Sequence, residues 1–258
     1  MAVTQNYVLG RGKLYFERFA ENQTVGAGRY RYIGNTPSIS MTAESETLDH
    51  FSSEAGLRVK DRSVTLQQDM SGNFTTDNID RENLALLLQG DEGDDTIASA
   101  SGLSDTFTSV EIGTYVQLGV TASKPEGVGN VTVVAAVVGS DTLAAGVDYD
   151  VDADTGMVYL RDDAVDLATG DNVTIHYSTA AGTRSRITDT GDEIYGALRY
   201  VSDNPVGDQR DKVWPYVKLT PSGDFQLKGD DWQTITFDFE VLRRNDATPR
   251  VVSLGRYA

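Results

Sequence analysis

The residues of this sequence that come nearest to a chemical site are carboxylates in alternation. The run consists of Asp148, Asp150, Asp152 and Asp154, followed by Thr155-Gly156. Counted from Asp150, a calcium-binding EF-hand loop would need its turn glycine where Thr155 stands and its bidentate glutamate where Arg161 stands. We therefore predict a β-hairpin between residues 149–151 and 157–160 with solvent-facing acids, and cation binding by this run stays the alternative.

The two histidines do not complete a catalytic arrangement in the sequence. His50 has Asp49, Ser52 and Ser53 beside it, but neighbours in sequence do not form a triad by adjacency, and no Gly-x-Ser-x-Gly elbow exposes a nucleophile. His176 falls in a predicted strand over residues 173–177. The absence of cysteine removes thiolate nucleophiles, disulfides and thiolate metal sites. We therefore expect no enzymatic activity, no cofactor and no metal.

The composition is that of a folded and strongly acidic protein. The chain has 258 residues, 39% of them apolar, and a formal net charge of −17. Its length favours one domain with an inserted module. The negative charge disfavours a large nucleic-acid-binding surface, which needs Lys and Arg, but it suits a surface past which DNA slides. Residues 1–7 hold no signal-peptide pattern and no window approaches ~18 apolar residues, so we expect neither secretion by that route nor membrane insertion.

The middle of the chain has a composition of its own. Residues 101–180 hold twelve acidic and two basic residues, a net of −10 that leaves −7 for the other 178 positions. Short apolar or alternating runs at 131–138, 149–151, 157–160 and 173–177 are separated by Gly or Asp-Gly turns. We predict an inserted immunoglobulin-like sandwich over residues 103–182, joined through polar linkers to a discontinuous β domain formed by residues 1–102 and 183–258. A sugar-binding aromatic platform on the insertion stays open, although the insertion holds few aromatic residues.

Outside the insertion, alternation with a period of two predicts strands. Residues 232–243 and 63–70 both place apolar and polar side chains on opposite faces. Further strands are expected at 13–19, 29–33, 38–43, 194–202 and 213–219, and one helix is expected with Asp77 or Asn78 as its N-cap, an apolar stripe and Gly90 as its end. Leu84, Leu87 and Leu88 form that stripe. The fold class is therefore all-β with one short helix.

Four short motifs occur in a characteristic order between residues 31 and 90. They are Arg31-Tyr32-Ile33-Gly34-Asn35-Thr36-Pro37, Ser45-Glu46-Thr47-Leu48-Asp49-His50-Phe51, Gly56-Leu57-Arg58-Val59-Lys60-Asp61, and Phe74-Thr75-Thr76-Asp77-Asn78-Ile79 with Glu82-Asn83-Leu84-Ala85. This order resembles the major tail tube protein of long-tailed bacteriophages with non-contractile tails. The resemblance covers the first ninety residues well and the last seventy more loosely, and the middle fits as an insertion typical of that family.

The resemblance implies an architectural role in a virion. In that family each subunit gives a curved antiparallel sheet to a shared barrel, six subunits close a ring, and stacked rings form the tube through which the genome leaves. It implies as partners other copies of the chain, the tape measure, tail terminator and tail tip proteins, and viral DNA that passes without specific binding. It also implies assembly in the host bacterial cytoplasm.

Two sets of residues are candidates for this role. In the resembled family a long polar loop, here residues 42–56, reaches neighbouring subunits, and its apolar side chains would be costly in water. The interface candidates are Leu48, His50, Phe51 and Leu57. The lumen-facing candidates, taken from the polar sides of the two long strands, are Thr65, Gln67, Asp69, Thr234, Thr236, Asp238 and Glu240. The alternatives are a monomeric β-sandwich binding or adhesion module, or another virion protein of related fold such as a tail terminator or a capsid decoration protein.

Overall fold

The computed structural model describes residues 6–54 and 56–257, and it is an all-β fold as predicted, with 53% of residues in strands. In chain order the described elements are β1 (Gly12–Arg18), β2 (Arg31–Tyr32), β3 (Ser38–Ser52), β4 (Val59–Thr76), α1 (Arg81–Leu87), β5 (Gly90–Ile97), β6 (Ala100–Phe107), β7 (Tyr115–Gln117), β8 (Val131–Val138), β9 (Asp141–Leu143), β10 (Tyr149–Asp152), β11 (Met157–Leu160), β12 (Val173–Thr179), β13 (Gly182–Asp189), β14 (Ile194–Ser202), β15 (Arg210–Ser222), β16 (Ile235–Val241) and β17 (Val252–Gly255). Residues 1–7 show no signal-peptide pattern in the sequence, and of these only residues 6 and 7 are among the described residues. Within the described part of the chain, no helix is long and apolar enough to cross a membrane.

The chain divides into two compact units. Unit 1 comprises the residues up to Gly93 and those from Ile187 onward, and unit 2 is Asp94–Arg186. The sequence places these junctions at 102/103 and 182/183, because the small polar residues on each side resemble flexible linkers. In the structure these segments are strands, and β5 pairs with β13. Asp95 of β5 explains why these segments are ordered strands and not flexible linkers. Its buried carboxylate accepts hydrogen bonds from Lys124 at 2.8 Å and from Arg184 at 2.9 Å.

Unit 1 is built on one large antiparallel sheet. Its strand order is β2-β1-β14-β15-β16-β4-β3, and β17 pairs with β15. The apolar side chains of one face form a single buried cluster with Leu86 of α1. The largest members are Trp214, Phe74, Phe237, Phe239, Leu14, Ile33, Ile194, Leu198 and Leu219. Because that face is buried, the opposite face of β16 and of its neighbouring strands carries polar side chains.

The strand with the clearest alternation is shorter than its pattern predicts. The pattern covers residues 232–243, whereas β16 spans Ile235–Val241, with Ile235, Phe237, Phe239 and Val241 buried. Trp232, before the strand, is 94% exposed. The alternation prediction is thus confirmed over the seven residues that have a core to pack against.

Helix α1 begins and ends at residues other than those predicted. Asp80, rather than Asp77 or Asn78, is the N-cap, and its carboxylate accepts the backbone N–H of Asn83 at 2.7 Å. The helix ends at Leu87, and the left-handed residue that follows is Gln89 (φ 50°), so Gly90 instead begins β5. Leu88 of the predicted apolar stripe is exposed, while Leu86 is buried. Because the helix has only two turns, it buries the side chains that face the sheet but does not form an apolar stripe along its length.

Unit 2 is a two-layer sandwich. Its described strands form sheets of order β10-β11-β7 and β6-β12-β8-β9, and one core cluster draws side chains from both. The predicted runs 131–138 and 157–160 coincide with β8 and β11. The predicted hairpin is also confirmed, since β10 and β11 pair antiparallel from Tyr149 with Leu160 to Asp152 with Met157.

Candidate assembly surface

The alternating carboxylates are structural groups of unit 2. Asp148 is fully buried, and its carboxylate accepts the backbone N–H groups of Ala144 and Val165 at 2.8 Å and of Asp166 at 2.9 Å. These backbone hydrogen bonds hold the pKa of the Asp148 carboxyl below its ordinary value. Among residues 6–54 and 56–257, no group of three acids or histidines is placed to hold a metal ion.

The other carboxylates of the run have different surroundings. Asp150 lies on the exposed side of β10 and pairs with Arg161 at 3.0 Å. Asp152 accepts the backbone N–H of Asp154 at 3.2 Å and holds the turn between β10 and β11. Because Asp148 is enclosed by loop backbone while Asp150 and Asp152 face solvent, the run does not converge on a common point.

The two histidines lie in different units. His50 is on β3, exposed, with its Nδ1 2.6 Å from the carboxylate of Asp61. His176 is on β12 in unit 2 and is exposed.

One groove of unit 1 is lined by hydroxyl, amide, apolar and basic groups. Its volume is about 640 Å³, and its lining residues are Gly10, Arg11, Gly12, Asn35, Thr36, Pro37, Ser38, Ile39, Ser40, Met41, Tyr200, Lys212 and Trp214. It contains neither a carboxylate nor an imidazole, and its titratable side chains are those of Arg11, Tyr200 and Lys212.

The segment predicted as a long interface loop is a β-hairpin. Nearly all of residues 42–56 belong to β3 and the turn that follows it; Ala55 lies outside the described residues. β3 pairs antiparallel with β4 from Ser38 with Thr75 to Ser52 with Val59, with register shifts after Glu46 and after His50. Over residues 59–70, β4 has no described partner strand other than β3. We name residues 44–52 and 59–69 the distal ribbon.

The distal ribbon exposes apolar side chains on both of its strands. Leu48 pairs across the ribbon with Val64, and they are 62% and 51% exposed. Leu66 is 59% exposed, and Leu57, in the turn, is 77% exposed. Phe51 is exposed beneath the guanidinium of Arg58, which lies 5.5 Å from its ring centroid. The four interface candidates thus lie on or beside a strand rather than in a loop, and all four are accessible in the single chain.

A set of polar contacts orders this ribbon without covering its apolar residues. The carboxylate of Asp49 accepts hydrogen bonds from Lys60 at 2.7 Å and Ser63 at 2.6 Å. The hydrogen bonds from Lys60 and then Ser63 lower the pKa of the Asp49 carboxyl. Together with the His50–Asp61 pair, they tie β3 to β4 along the ribbon. A two-stranded ribbon is marginal in water by itself, so such contacts help to maintain its shape.

Five of the seven lumen candidates share one face of the unit 1 sheet. Thr236, Asp238 and Glu240 pair across from Thr75, Asn73 and Ser71, opposite the buried face. Successive residues of a strand alternate between faces, so Asp69 and Gln67 continue the same face along β4. Local hydrogen bonds order it, including Thr75 with Thr236 at 3.0 Å and Gln67 with Asp69 at 2.6 Å.

The other two lumen candidates lie elsewhere. Gln67 pairs with Glu46, whereas Thr65 pairs with Thr47 because the register shifts between them. Glu46 and Thr47 are neighbours on β3 and point to opposite faces, so Thr65 and Gln67 do as well. Thr234 precedes β16 and belongs to no strand. The alternation in the sequence could not show either departure, because a bulge and a strand end depend on the partner strand.

Sequence reasoning missed further members of this polar face. On β3 they are Ser38, Ser40, Thr42, Glu44 and Glu46, and on β15 they are Thr220 and Lys218, which pairs with Glu240. Lys218 is bound by Glu193 at 2.6 Å, and this hydrogen bond raises the pKa of Lys218. On β3, the sequence signal for a strand consists of small and acidic residues at alternate positions. Because few apolar residues lie between them, the pattern predicts a strand only to residue 43.

A family comparison covers nearly the whole chain. The model of the family described as Protein of unknown function UCP028589 matches residues 7–258. No curated protein matches the sequence.

Proposed function

The chain belongs to the family described as Protein of unknown function UCP028589, and we propose that it is a tail tube protein of a long-tailed bacteriophage. In this proposal, copies of the chain form hexameric rings that stack into a tube, and the tube conducts the genome into the host. Its partners are other copies of itself, the tape measure, tail terminator and tail tip proteins, and DNA in passage. Its location is the virion, after assembly in the bacterial cytoplasm.

The observation that carries the proposal is the β3–β4 hairpin. β3 is the outermost strand of the large sheet, fifteen residues long; the distal ribbon exposes Leu48, Val64 and Leu66, and its turn exposes Leu57. A long edge strand with exposed apolar residues promotes association, and soluble monomers usually avoid it. A second copy of the chain would both cover the apolar residues and pair the edge.

The polar sheet face supports the same proposal. It carries hydroxyls, amides and the carboxylates of Asp69, Asp238 and Glu240, and Lys218 on this face is bound by Glu193. Such a face, turned toward a bore, offers phosphate few fixed cations, so DNA is not retained. The net charge of −17 on the chain agrees with this property.

The state of assembly tests the proposal. The purified protein is expected to form rings or tubes, which negative-stain electron microscopy and size-exclusion chromatography with light scattering detect. A homogeneous monomer of 28.0 kDa at all concentrations would favour the adhesion-module alternative. Single rings that never stack would favour a terminator-like protein.

A further inference from the structure

Two tyrosines lie side by side on the outer face of the smaller sheet of unit 2. Tyr115 of β7 pairs directly with Tyr159 of β11, and their ring centroids are 4.8 Å apart with planes inclined by 34°. Tyr115 is 62% exposed, in contrast to Tyr149 and Tyr177, which are buried in the core of the same unit. A Tyr115 ring face is therefore open to a ligand.

The strand register defines the face around this pair. Asp150 of β10 pairs with Tyr159 on its other side, so Asp150, Tyr159 and Tyr115 form one row across three strands. Residues two positions along, Asp152, Met157 and Gln117, form the next row on the same face. The intervening residues Val158 and Leu160 point into the core. The outer face is thus centred on the two tyrosine rings and bordered by polar side chains.

These polar side chains are held in place by one another. Arg161 donates to Asp163 at 2.8 Å and to Asp150 at 3.0 Å. Burial and then the negative charge of Asp162 raise the pKa of the Tyr159 hydroxyl. The side chains of Asp150 and Asp163 remain 50% and 66% exposed, so they retain free acceptor positions. Groups that are already ordered lose little conformational entropy when a ligand binds.

We propose that this face, with Tyr115 and Tyr159 at its centre and Asp150, Arg161 and Asp163 at its border, binds a neutral glycan. One face of a pyranose ring presents C–H groups that pack on an aromatic ring, and its rim presents hydroxyls that both donate and accept. Tyrosine combines a large apolar ring with low conformational entropy, which suits such a contact. The carboxylates accept from sugar hydroxyls, and the guanidinium donates to them.

The charge of the surroundings selects against other ligands. Residues 101–180 carry a net charge of −10, which repels nucleic acids, acidic polysaccharides and anionic lipid surfaces. A quaternary ammonium group would be attracted, but it prefers a cage of rings that enclose it. Here two rings lie side by side on one sheet, and Arg161 supplies a positive charge at the border. A neutral sugar is the ligand class that fits both the shape and the charge.

The site does not depend on the proposed tail tube function. It lies entirely within unit 2, and a single chain is sufficient to form it. Failure of sugar binding would leave assembly unaffected, and a monomeric protein that bound sugar would contradict the tube while it confirmed this site.

Calorimetric titration of the full-length protein tests the inference. The probes are neutral hexasaccharides of glucose, mannose, galactose and N-acetylglucosamine. At least one is expected to bind, and Tyr115→Ala should weaken that binding about tenfold or more. Tyr115→Phe should retain most of the affinity because it keeps the ring. Val134→Ala, at an exposed position of the other sheet, is the matched control and should bind as the wild type does.

Three results would overturn the inference. They are no binding of any probe at about 10 mM sugar, binding unchanged in Tyr115→Ala, and binding of choline at Tyr115 in place of every sugar. If Tyr115→Ala lowers the thermal stability of unit 2, Tyr115→Leu restores apolar contact with Tyr159 without the aromatic face. Tyr115→Leu is expected to fold and to bind as poorly as Tyr115→Ala.

Discussion

Unit 2 and the distal ribbon of unit 1 are both antiparallel β structures on the same acidic chain, but only unit 2 has a second layer. In unit 2, the two sheets cover each other's apolar faces, and Val131, Val158, Val173 and Ile175 are fully or almost fully buried. In the distal ribbon, apolar side chains of the same kind, such as Val64 and Leu66, remain in water. The comparison shows that unit 2 covers its apolar side chains within a single chain, whereas the ribbon leaves its own exposed, as the proposed assembly requires.

Polar groups differ between the two regions in the same way. The buried carboxylate of Asp148 has three backbone donors within unit 2. The carboxylate of Asp49 on the ribbon has its partners at the surface, where ion pairs contribute little to stability. Unit 2 therefore has a buried, fully bonded carboxylate, whereas the polar contacts of the ribbon lie at the surface.

Removal of the distal ribbon is expected to have the largest effect. Replacing residues 46–67 by Asn-Gly would join Ser45 to Gln68, an existing cross-strand pair, through a two-residue hairpin turn. The core cluster around Phe74 and Phe237 is untouched, so the variant should fold but form neither rings nor tubes in electron microscopy. Deletion of residues 46–53 alone would leave part of β4 unpaired, so both strands must be removed. Long tubes from this variant would contradict the role of the ribbon.

The distal ribbon is also the region that sequence reasoning described least well. Strands are recognised by burial on one face, which gives β8, β11 and β14 their apolar patterns and made their bounds predictable. Residues 44–52 have neither face buried in the single chain, so no such pattern exists, and the segment resembled a loop. The exposed apolar candidates Leu48, Phe51 and Leu57 were visible in the sequence as apolar residues in a polar segment, whatever its conformation.

The roles of single polar residues could not be predicted for a different reason. Asp148 is bound by loop backbone at Val165 and Asp166, and Tyr115 meets Tyr159 only through strand pairing. Both contacts join residues far apart in sequence. The composition of the middle segment predicted its acidity and its strands, but only the tertiary structure separates the buried acid from the exposed ones.

Substitution of Asp148 is expected to have the next largest effect, confined to unit 2. Asp148→Asn keeps the shape of the side chain but replaces one acceptor oxygen by an amide that faces N–H donors. The loss of charge-assisted hydrogen bonds in a buried site should destabilise unit 2 by about 2–3 kcal/mol. Hydrogen exchange of the β8 and β12 amides measures this change. Asp150→Asn, at an exposed ion pair, is the control and should change stability by less than about 1 kcal/mol.

Acid should separate Asp148→Asn from the wild type. The pKa of Asp148 is lowered below 3.8 in the folded state, so the unfolded chain takes up the proton first as pH falls. The stabilisation from this carboxylate is fully present above about pH 5 and is lost as pH falls through the folded pKa. Wild-type unit 2 should lose stability over this range by more than Asp148→Asn does, as thermal unfolding at successive pH values would measure. Equal slopes for the two proteins would contradict the assignment.

Charge reversal on the polar sheet face should have a smaller effect, limited to DNA. Asp238→Lys with Glu240→Lys places cations on the exposed side of β16 and leaves its buried side unchanged. Tubes should still form, but they should retain DNA at about 50 mM salt and release at least about tenfold more of it at about 200 mM. Cosedimentation of tubes with DNA measures retention. Asp230→Lys with Asp231→Lys, an equal change in the exposed loop before β16, is the control, and equal retention by both variants would remove Asp238 and Glu240 from the bore.

Excision of unit 2 is expected to have the smallest effect on assembly. Gly90 packs against the backbone carbonyl of Thr188, and the hydroxyl of Thr190 donates to the carbonyl of Gln89 at 3.0 Å. The chain therefore leaves unit 1 and returns to it at adjacent points, so a short Gly-Ser connector can replace residues 94–186. The variant should keep the melting temperature of unit 1 and form tubes of the same ring spacing, because the core cluster and the distal ribbon both lie in unit 1. Since this deletion removes far more of the chain than the ribbon truncation does, intact tubes here and none there would locate the assembly surface in the ribbon. Loss of tubes in both variants would show instead that unit 2 takes part in assembly.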